Sequence, residues 1–374
     1  MMIRTTFFME QHAGHITYYQ NLRRFIDKVD NIAPTWVPVT YKQERSWLNR
    51  LPLTDHQRGV LVGRMQTQAG LKTPADVLLF NTQVPAGFVP HMLHTRPYVL
   101  ATDITPLQYD AMSTHYGHRL DGNRFVRSLK HQINVRLFRQ AARVVAWSSW
   151  AAQSIASDYG VDPHKIAVIH PGVDTTLWVP PAVREQSGPV RILFVGADFE
   201  RKGGWLLLEA FRRLPRGCAE LHIVTRDEVI LAGDGVHVYR EMQPNSAELI
   251  QLYQSCDIFC MPTLAEAFGI VCTEASACGL PIISTDVGGL RDSVVDGETG
   301  YLVPPGNIDK LTERLTELVQ QPERRVRLGK SARQRAIEQF DASQNAKRVV
   351  RILEQIVSEV PAPQNKISFS FKVF

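Results

Sequence analysis

Two glutamates eight residues apart, Glu266 and Glu274, are the side chains whose type and spacing most clearly suggest chemistry. They stand at the two ends of the run EAFGIVCTE, and a helix is expected to begin between them, at residues 268–270. The start of a helix offers unpaired amides and the positive end of a dipole to a phosphate, and a carboxylate accepts hydrogen bonds from sugar hydroxyls. Both glutamates can therefore serve one sugar nucleotide. Alternatively, Glu266 is an acid favoured by the helix dipole and Glu274 is a solvated helix residue.

A second candidate site is the loop ADFERKGG, which follows the apolar run VRILFVG and precedes the helical pattern WLLLEAFRRL. Its glycines Gly196, Gly203 and Gly204 let backbone amides face an anion, and Arg201 and Lys202 add fixed positive charge. This arrangement predicts a cradle for a diphosphate, with a plain basic turn as the alternative. The loop has neither the Gly-Lys-Ser/Thr order of a P-loop nor the glycine spacing of a dinucleotide fingerprint.

Buried parallel strands that alternate with helices are expected to position both loops. Short apolar runs rich in β-branched residues recur along the chain, with longer helical patterns between them. The nine predicted strands are residues 76–80, 98–102, 143–148, 165–172, 190–196, 220–225, 257–262, 281–286 and 300–304. The sequence therefore predicts an α/β fold, in which ligands bind at the carboxyl ends of the strands.

Two domains are expected from the length of 374 residues and from a break rich in proline and polar residues at 177–189. We predict a first domain at 1–178 and a second at 179–341, with the C-terminal helix and tail at about 342–374 joining the first. Two similar domains leave a cleft between them in which a ligand can bind.

The composition is that of an ordinary globular protein, with 44% hydrophobic and 21% charged residues. No run approaches the roughly 18 apolar residues that span a bilayer, and Glu10 comes too early for a secretory signal, so we expect a cytoplasmic protein. The five cysteines suit a reducing compartment. Cys256 and Cys260 have neither a second pair nor nearby histidines, so no metal site is expected.

Positive charge is concentrated in the first half of the chain. Residues 1–178 contain 19 Lys and Arg against 12 Asp and Glu, whereas the remainder contains 23 against 25. This imbalance predicts an anionic partner for the first half, such as a phosphorylated acceptor or a membrane surface. Alternatively, the basic side chains only solvate exposed helices. No nucleic acid is expected as a partner.

The stretch from Val190 to Val303 resembles the retaining glycosyltransferases of family 4, which have the GT-B fold. The features shared in order are the paired glutamates, the Gly279-Leu280-Pro281 turn, the Val287-Gly288-Gly289 loop and the turn DGETG at 296–300. The run at 148–178 is also similar to that family, and the likeness is weak before Val144. The resemblance implies two Rossmann-like domains that face each other across a cleft.

The resemblance also implies a role for each donor-site residue. Glu274 would bind the ribose hydroxyls of a UDP- or GDP-sugar, Glu266 would contact the donor sugar near the reacting centre, and Lys202 would neutralise the leaving diphosphate. Backbone amides of Phe268, Gly269 and Ile270 would face the sugar and the diphosphate. No metal and no further cofactor would be needed, because Lys202 and the helix dipole replace a divalent ion.

Two departures from the family pattern concern the phosphate loop and the first domain. Many members carry an arginine where this chain has Ala197, and Arg201 is our candidate replacement, because DFERKG resembles the loop of the lipopolysaccharide core glucosyltransferases. Members open with a glycine-rich loop, for which this chain offers only Gly14. We expect Gly14 to approach the diphosphate and His15 to contact the sugar, although His15 can instead be an ordinary polar loop residue.

The third departure is Thr102-Asp103, which stands where the family commonly has a His-Asp pair. Asp103 follows a predicted strand and is expected to face the cleft, where it would orient or deprotonate the acceptor hydroxyl. Alternatively, Asp103 caps the turn at 104–106.

The segment at 119–143 carries seven Lys or Arg and one acid, with Phe125, Leu129, Ile133 and Leu137 at every fourth position. It predicts a basic amphipathic helix, either packed on the first domain or lying on anionic lipid at the inner membrane face.

The resemblance implies a hexosyltransferase that moves a sugar with retention to a hydroxyl of a glycan, a glycolipid or a small molecule. A glycoside phosphorylase of the same fold and a non-catalytic nucleotide-sugar-binding protein are the alternatives. An NAD-dependent oxidoreductase is disfavoured because both halves lack its glycine fingerprint.

Overall fold

Two parallel β-sheets of six strands each form the framework of the chain. The computed structural model describes residues 2–12, 14–42, 52–117, 122–183, 188–228 and 233–359. The first sheet contains β1 (Ile3–Glu10), β2 (Ile32–Val39), β3 (Val77–Asn81), β4 (Tyr98–Thr102), β5 (Arg143–Ala146) and β6 (Ile166–Val168), in the order β2-β1-β3-β4-β5-β6. Strands β3 and β4 are buried along their whole length, as expected of strands with helices on both faces.

Helices cover both faces of this first sheet. They are α1 (Gly14–Ile26), α2 (Asp55–Gly70), α3 (Gln83–Gly87), α4 (Pro106–Ala111), α5 (Ser113–Tyr116), α6 (Arg124–Gln140) and α7 (Ser149–Ser157). Tyr18 and Leu22 of α1 share a core with Phe7 on one face of the sheet. On the other face, Leu137 of α6 packs in a core with Phe8. The apolar side chains that alternate along each strand therefore supply two separate cores.

The second sheet repeats the arrangement. Its strands are β7 (Val190–Val195), β8 (Ala219–Val224), β9 (Val236–Tyr239), β10 (Ile258–Met261), β11 (Ile282–Thr285) and β12 (Gly300–Val303), in the order β12-β11-β10-β7-β8-β9. Its helices are α8 (Gly204–Arg212), α9 (Ala247–Ser255), α10 (Ile270–Ala277), α11 (Leu290–Ser293), α12 (Ile308–Gln320) and α13 (Pro322–Gln339). The prediction of an α/β fold with two Rossmann-like sheets is confirmed.

The last described helix, α14 (Ala342–Glu359), returns to the first sheet and packs against α1. Asn345 of α14 donates to the His170 carbonyl at 3.0 Å, and Arg143 pairs with Glu359 at 2.7 Å. The predicted limits of the two domains stay predictions, and the predicted tail at 360–374 lies outside the described residues.

All nine predicted strands are present, and β1, β2 and β9 are additional. Strand β2 contains Pro34 and Pro38, which remove ladder donors and are tolerated because β2 lies at the edge of its sheet. Strand β9 is also an edge strand, at the end of the second sheet, and it has only four residues. Both β2 and β9 therefore pair with a neighbour on one side only, whereas β1 lies between β2 and β3.

Candidate active site

The loop between β7 and α8 is shaped by glycines that lie against neighbouring atoms. Gly203 precedes α8 with a φ of 79°, a left-handed conformation that glycine adopts without strain. A Cβ on Gly203 would lie 2.0 Å from the Pro262 carbonyl oxygen, and one on Gly204 would lie 2.3 Å from the Phe199 ring. Helix α8 therefore begins directly beside the end of β10, with Lys202 in the turn before it.

Lys202 and Glu266 form a largely buried ion pair at the carboxyl edge of the second sheet. The Lys202 Nζ donates to Glu266 Oε2, and the two side chains are 14% and 11% exposed. Burial opposes ionisation of Glu266, but the charges of Lys202 and Arg201 outweigh it and hold the pKa of this carboxyl below its usual range. Glu266, the predicted sugar contact, is therefore an anion that is paired with Lys202, the predicted diphosphate contact.

Arg201 connects the same loop to the first domain. Its Nε donates to Asp198 Oδ2 at 3.0 Å, and its Nη1 donates to the Ala265 carbonyl at 2.9 Å. Its guanidinium also lies over the Tyr116 ring, 4.8 Å from the centroid. These contacts fix Arg201 between the two sheets, close enough to Glu266 to act on its charge.

The Val287-Gly288-Gly289 loop supports the backbone of Glu266. Gly288 has a φ of 54°, and a Cβ on it would lie 1.8 Å from the Glu266 carbonyl oxygen. A Cβ on Gly289 would lie 2.2 Å from the Ala267 carbonyl oxygen. Two backbone segments therefore pack so closely here that only glycine fits.

Replacement of Gly288 by alanine is expected to displace Glu266. Strain and the collision with backbone should together lower the free energy of unfolding by about 3 kcal/mol and also lower activity. Gly297→Ala is the matched control, because Gly297 has a φ of 74° but no atom of the described residues lies within 4 Å of the added Cβ. It should lose only about 1 kcal/mol and keep activity. Chemical denaturation measures both losses, and equal losses would contradict the proposed support.

The start of α10 faces the first domain. Gly269 precedes the helix with a φ of 83°, and Ile270 is its first residue. A backbone hydrogen bond from Phe268 reaches the Glu266 carboxyl. Across the cleft, a Cβ on Gly14 would lie 3.3 Å from Ile270 Cδ1. The predicted amide donors and the predicted glycine of the first domain therefore lie together.

Glu274 lies inside α10 and is only 4% exposed, so it is not the solvated helix residue of the alternative interpretation. Its Oε2 accepts a hydrogen bond from the Tyr253 hydroxyl at 3.0 Å. Burial raises the pKa of Glu274 to about 7, and the hydrogen bond from Tyr253 partly opposes that rise. The carboxyl is therefore poised to change charge near neutral pH.

Nucleotide affinity is expected to depend on the ionisation of Glu274. Ribose hydroxyls donate to a carboxylate, so affinity should fall about tenfold per pH unit below 7 and stay level above it. The raised pKa has the opposite effect on folding, because the native state retains a proton that the unfolded chain releases near its ordinary pKa. The free energy of unfolding should therefore fall as pH rises toward 7. Isothermal titration calorimetry of nucleotide binding at several pH values measures the affinity. Glu274→Gln is the control, because only the nucleotide phosphate titrates in that variant. If the affinities of the wild type and the variant change with pH in the same way, the proposed dependence on Glu274 is wrong.

Asp103 and His15 lie at the carboxyl edge of the first sheet. His15 Nε2 is 3.5 Å from Asp103 Oδ2, while His15 Nδ1 and Asp103 Oδ1 are buried and have no hydrogen-bond partner among the described residues. Burial raises the pKa of Asp103, and His15 opposes that rise. Thr105, whose side chain accepts from the Gln108 amide, is the N-cap of α4. The alternative role of Asp103 in the turn at 104–106 stays a prediction.

Glu10 is a further residue of this edge that the sequence motifs do not indicate. Its Oε1 accepts from the Tyr41 hydroxyl at 2.7 Å and its Oε2 accepts from the Thr82 hydroxyl at 2.9 Å. Its charge adds to the rise in the pKa of Asp103, so the two carboxyls lie near each other. The available signal was a charged residue that ends the run IRTTFFME, at the carboxyl end of a parallel strand.

Potential metal ligands come together elsewhere in the described part of the chain, on β8 and β9. Glu220, His222 and His237 offer ligand atoms within 4.8 Å of one another. Arg191 Nε donates to His222 Nε2 at 3.1 Å, and burial followed by the Arg191 charge lowers the pKa of His222 to about 4. The Nε2 lone pair of His222 that a metal would need therefore already accepts a hydrogen bond from Arg191.

Comparison with known proteins gives matches over both halves of the chain. The model described as Glycosyltransferase Family 4 matches residues 20–177, and the model described as Glycosyl transferases group 1 matches residues 180–335. Together with the two facing sheets, these matches show that the chain belongs to the family 4 glycosyltransferases of the GT-B class.

Individual relatives are distant. An MMP α-(1→4)-mannosyltransferase of Mycolicibacterium hassiacum is 33% identical over 244 residues, which are 62% of this chain and 58% of that protein. The chain spans about half the length of the first curated relatives it matches. Sucrose-phosphate synthase from Thermosynechococcus elongatus has a TM-score of 0.77 at 18% identity, covering 96% of this chain and 100% of that one. Anabaena HepE, solved with UDP and glucose, has a TM-score of 0.70 at 16% identity, covering 94% and 100%.

Proposed function

We propose that the chain transfers a hexosyl unit from a UDP- or GDP-sugar to a hydroxyl acceptor with retention, forming an α-glycosidic bond. The main support for this proposal is the buried Lys202–Glu266 pair, which lies beside the start of α10, the helix that contains the buried Glu274. This set joins one cation for a diphosphate to two carboxyls for sugar hydroxyls. HepE was solved with UDP and glucose, which favours a UDP-sugar over a GDP-sugar as the proposed donor.

In the proposed reaction, the bond between the anomeric carbon and the diphosphate oxygen breaks. The acceptor oxygen bonds to the same carbon on the same face, and its proton passes to the departing diphosphate. Negative charge grows on the diphosphate, so the cation of Lys202 in the DFERKG loop and the amides at the start of α10 stabilise the transition state. No divalent metal is then required.

The first domain would hold the acceptor. Asp103 follows β4, and its Oδ1 is buried without a hydrogen-bond partner in the described part of the chain, so it can accept a hydrogen bond from the acceptor hydroxyl and orient it. His15 lies beside it and would contact the donor sugar, while the backbone of Gly14, which lies against Ile270 of α10, would approach the diphosphate. Glu10 would add a second carboxylate for acceptor hydroxyls.

Incubation with UDP- and GDP-hexoses and a panel of hydroxyl acceptors, including phosphorylated sugars, tests the proposal. Sucrose-phosphate synthase among the structural relatives motivates the phosphorylated members of the panel. An α-linked product in the NMR spectrum supports it, and a β-linked product contradicts retention. Glycoside turnover with phosphate alone would identify the phosphorylase. Tight nucleotide binding without transfer or donor hydrolysis would identify the non-catalytic protein.

We further propose that α6 rests on an anionic membrane surface. Phe125, Leu129 and Ile133 are 75%, 49% and 40% exposed, whereas Leu137 is buried. The helix has five Lys or Arg and no acid, which complements anionic headgroups. Because α6 returns the chain to the start of β5, its apolar first half lies toward the carboxyl edge that contains Asp103. Among the described helices, none has the length and apolar character needed to cross a membrane.

Leu129→Ser with Phe125→Ser is expected to reduce sedimentation with vesicles of phosphatidylcholine and phosphatidylglycerol at least about tenfold, because two exposed apolar side chains no longer enter the lipid. Ile337→Ser on α13 is the control, since Ile337 is 42% exposed on the second domain. Unchanged sedimentation of the double variant, or an equal loss in the control, would contradict this surface. Loss of a dimer instead of vesicle binding would assign α6 to a protein contact.

A further inference from the structure

A pocket of about 400 Å³ opens on the first domain, at the edge opposite the candidate active site. Arg96, Tyr98, Arg139 and Lys165 are among the residues that line it. Tyr98 is the first residue of β4 and Lys165 immediately precedes β6, so the pocket lies at the amino ends of the strands. The donor-site residues all follow carboxyl ends, and the pocket is therefore a separate place on the molecule.

Three cations in the wall of this pocket are fixed by backbone carbonyls. Arg96 donates to the carbonyls of Leu71 and Thr73 at 2.6 and 2.8 Å. Lys165 donates to the carbonyls of Arg139 and Ala141 at 3.1 and 3.3 Å. These bonds hold the charged groups in position without neutralising them.

Arg139 completes the set. Its Nε donates to the Tyr159 carbonyl at 2.9 Å, and a Cβ on Gly160 would lie 2.3 Å from its Nη2, so the glycine makes room for the guanidinium. Arg136, the next arginine on α6, has its Nη2 3.4 Å from His94 Nε2, and His94 also lines the pocket. Within the described ranges, no carboxylate forms an ion pair with Arg96, Arg139 or Lys165.

The ends of helices account for part of this arrangement. Arg96 bonds the carbonyls after α2 and Lys165 bonds those at the end of α6, where a cation is favoured by the helix dipole. That role explains each cation separately. It does not explain why they converge with Arg139 on one open concavity, where like charges repel one another unless an anion lies among them.

We propose that this pocket binds a phosphate group, carried either by a soluble phosphate ester or by a lipid headgroup. Phosphate oxygens accept the remaining N–H donors of the guanidinium and ammonium groups in charge-assisted hydrogen bonds. The volume leaves space for a small organic group on the phosphate. Helix α6 runs from the exposed stripe of Phe125, Leu129 and Ile133 to the pocket, so a lipid surface along α6 can present a headgroup there. A soluble ester can enter the same pocket from solvent.

A phosphorus NMR titration with inorganic phosphate at constant ionic strength tests the site. The double variant Arg139→Gln and Lys165→Gln is expected to raise the dissociation constant at least about tenfold. Arg23→Gln is the control, because Arg23 is a half-exposed arginine of α1 on the opposite face of the sheet. Phosphate can also bind the candidate active site, so the titration is repeated with Lys202→Ala, which should retain the pocket component.

The second arm measures sedimentation with vesicles of phosphatidylcholine and phosphatidylglycerol. A fall in the double variant that exceeds the fall in Arg124→Gln with Arg127→Gln, which remove the same charge from α6 outside the pocket, assigns the phosphate to a lipid. An equal fall, or unchanged sedimentation, assigns it to a soluble ester. Should the double variant unfold, Arg139→Gln alone serves, since Arg139 is exposed. Phosphate binding that is unchanged in the pocket variants, or that disappears with Lys202→Ala alone, overturns the proposal. Hexosyl transfer should persist in the pocket variants, so this test is independent of the proposed activity.

Discussion

Replacement of Lys202 by alanine is expected to lower turnover by about 10²- to 10³-fold while nucleotide-sugar binding changes much less. Removal of one preorganised group that stabilises developing charge costs roughly 3–4 kcal/mol of activation free energy. Lys202 lies in the turn before α8 and pairs with Glu266. The diphosphate is proposed to depart beside this lysine. Single-turnover kinetics with the identified donor measures the effect.

Lys310→Ala is the matched control for this variant. Lys310 pairs with Glu313 on the exposed surface of α12, so its loss should leave turnover unchanged. Lys202→Ala also leaves the buried Glu266 without its partner, which should raise the pKa of that carboxyl and lower stability. Turnover is therefore measured well below the melting temperature of the variant. Wild-type turnover in Lys202→Ala would refute the assigned role.

Glu274→Ala is expected to raise the dissociation constant of the nucleotide by about 100-fold. The ribose would lose two hydrogen bonds to a buried charged acceptor, together about 3 kcal/mol. Glu274 is 4% exposed, and among the described hydrogen bonds its carboxyl accepts only the one from the Tyr253 hydroxyl. Isothermal titration calorimetry with the nucleotide that binds the wild type measures the change.

Tyr253→Phe and Glu313→Ala are the controls for Glu274. Tyr253→Phe removes the hydroxyl that contacts the carboxyl without removing the carboxyl itself, so binding should change only a few-fold. Glu313→Ala removes an exposed carboxylate of the same domain. A loss in Tyr253→Phe as large as that in Glu274→Ala would indicate that the effect comes from altered packing in α10.

The sequence predicted the second domain more completely than the first. The motif from Glu266 to Glu274 and the glycines around it depend on local spacing, and the structure brings Glu266 to Lys202 because β7 and β10 are neighbours. Asp103 was predicted from its position after a strand together with the family's common His-Asp pair at that point. Glu10 was not predicted, because a single charged residue after an apolar run has no pattern that distinguishes it from a surface acid.

Helix α6 shows a second limit of sequence patterns. Phe125, Leu129, Ile133 and Leu137 recur every fourth residue, but four residues turn a helix by 400°, so successive members rotate around its axis. The line that starts on the exposed face at Phe125 therefore ends in the core at Leu137. The spacing predicted an amphipathic helix correctly, whereas the side that packs depends on where the neighbouring α3 lies.

The most direct measurement of the central claim is thermal unfolding of the wild type and Glu274→Ala with UDP, GDP and ADP and their hexose derivatives. Only a nucleotide that binds the native state raises the melting temperature. We predict that UDP or GDP and its sugar stabilise the wild type, and that this stabilisation is largely lost in Glu274→Ala. Absence of any shift in the wild type, or an equal shift in the variant, would contradict the proposed nucleotide-sugar site.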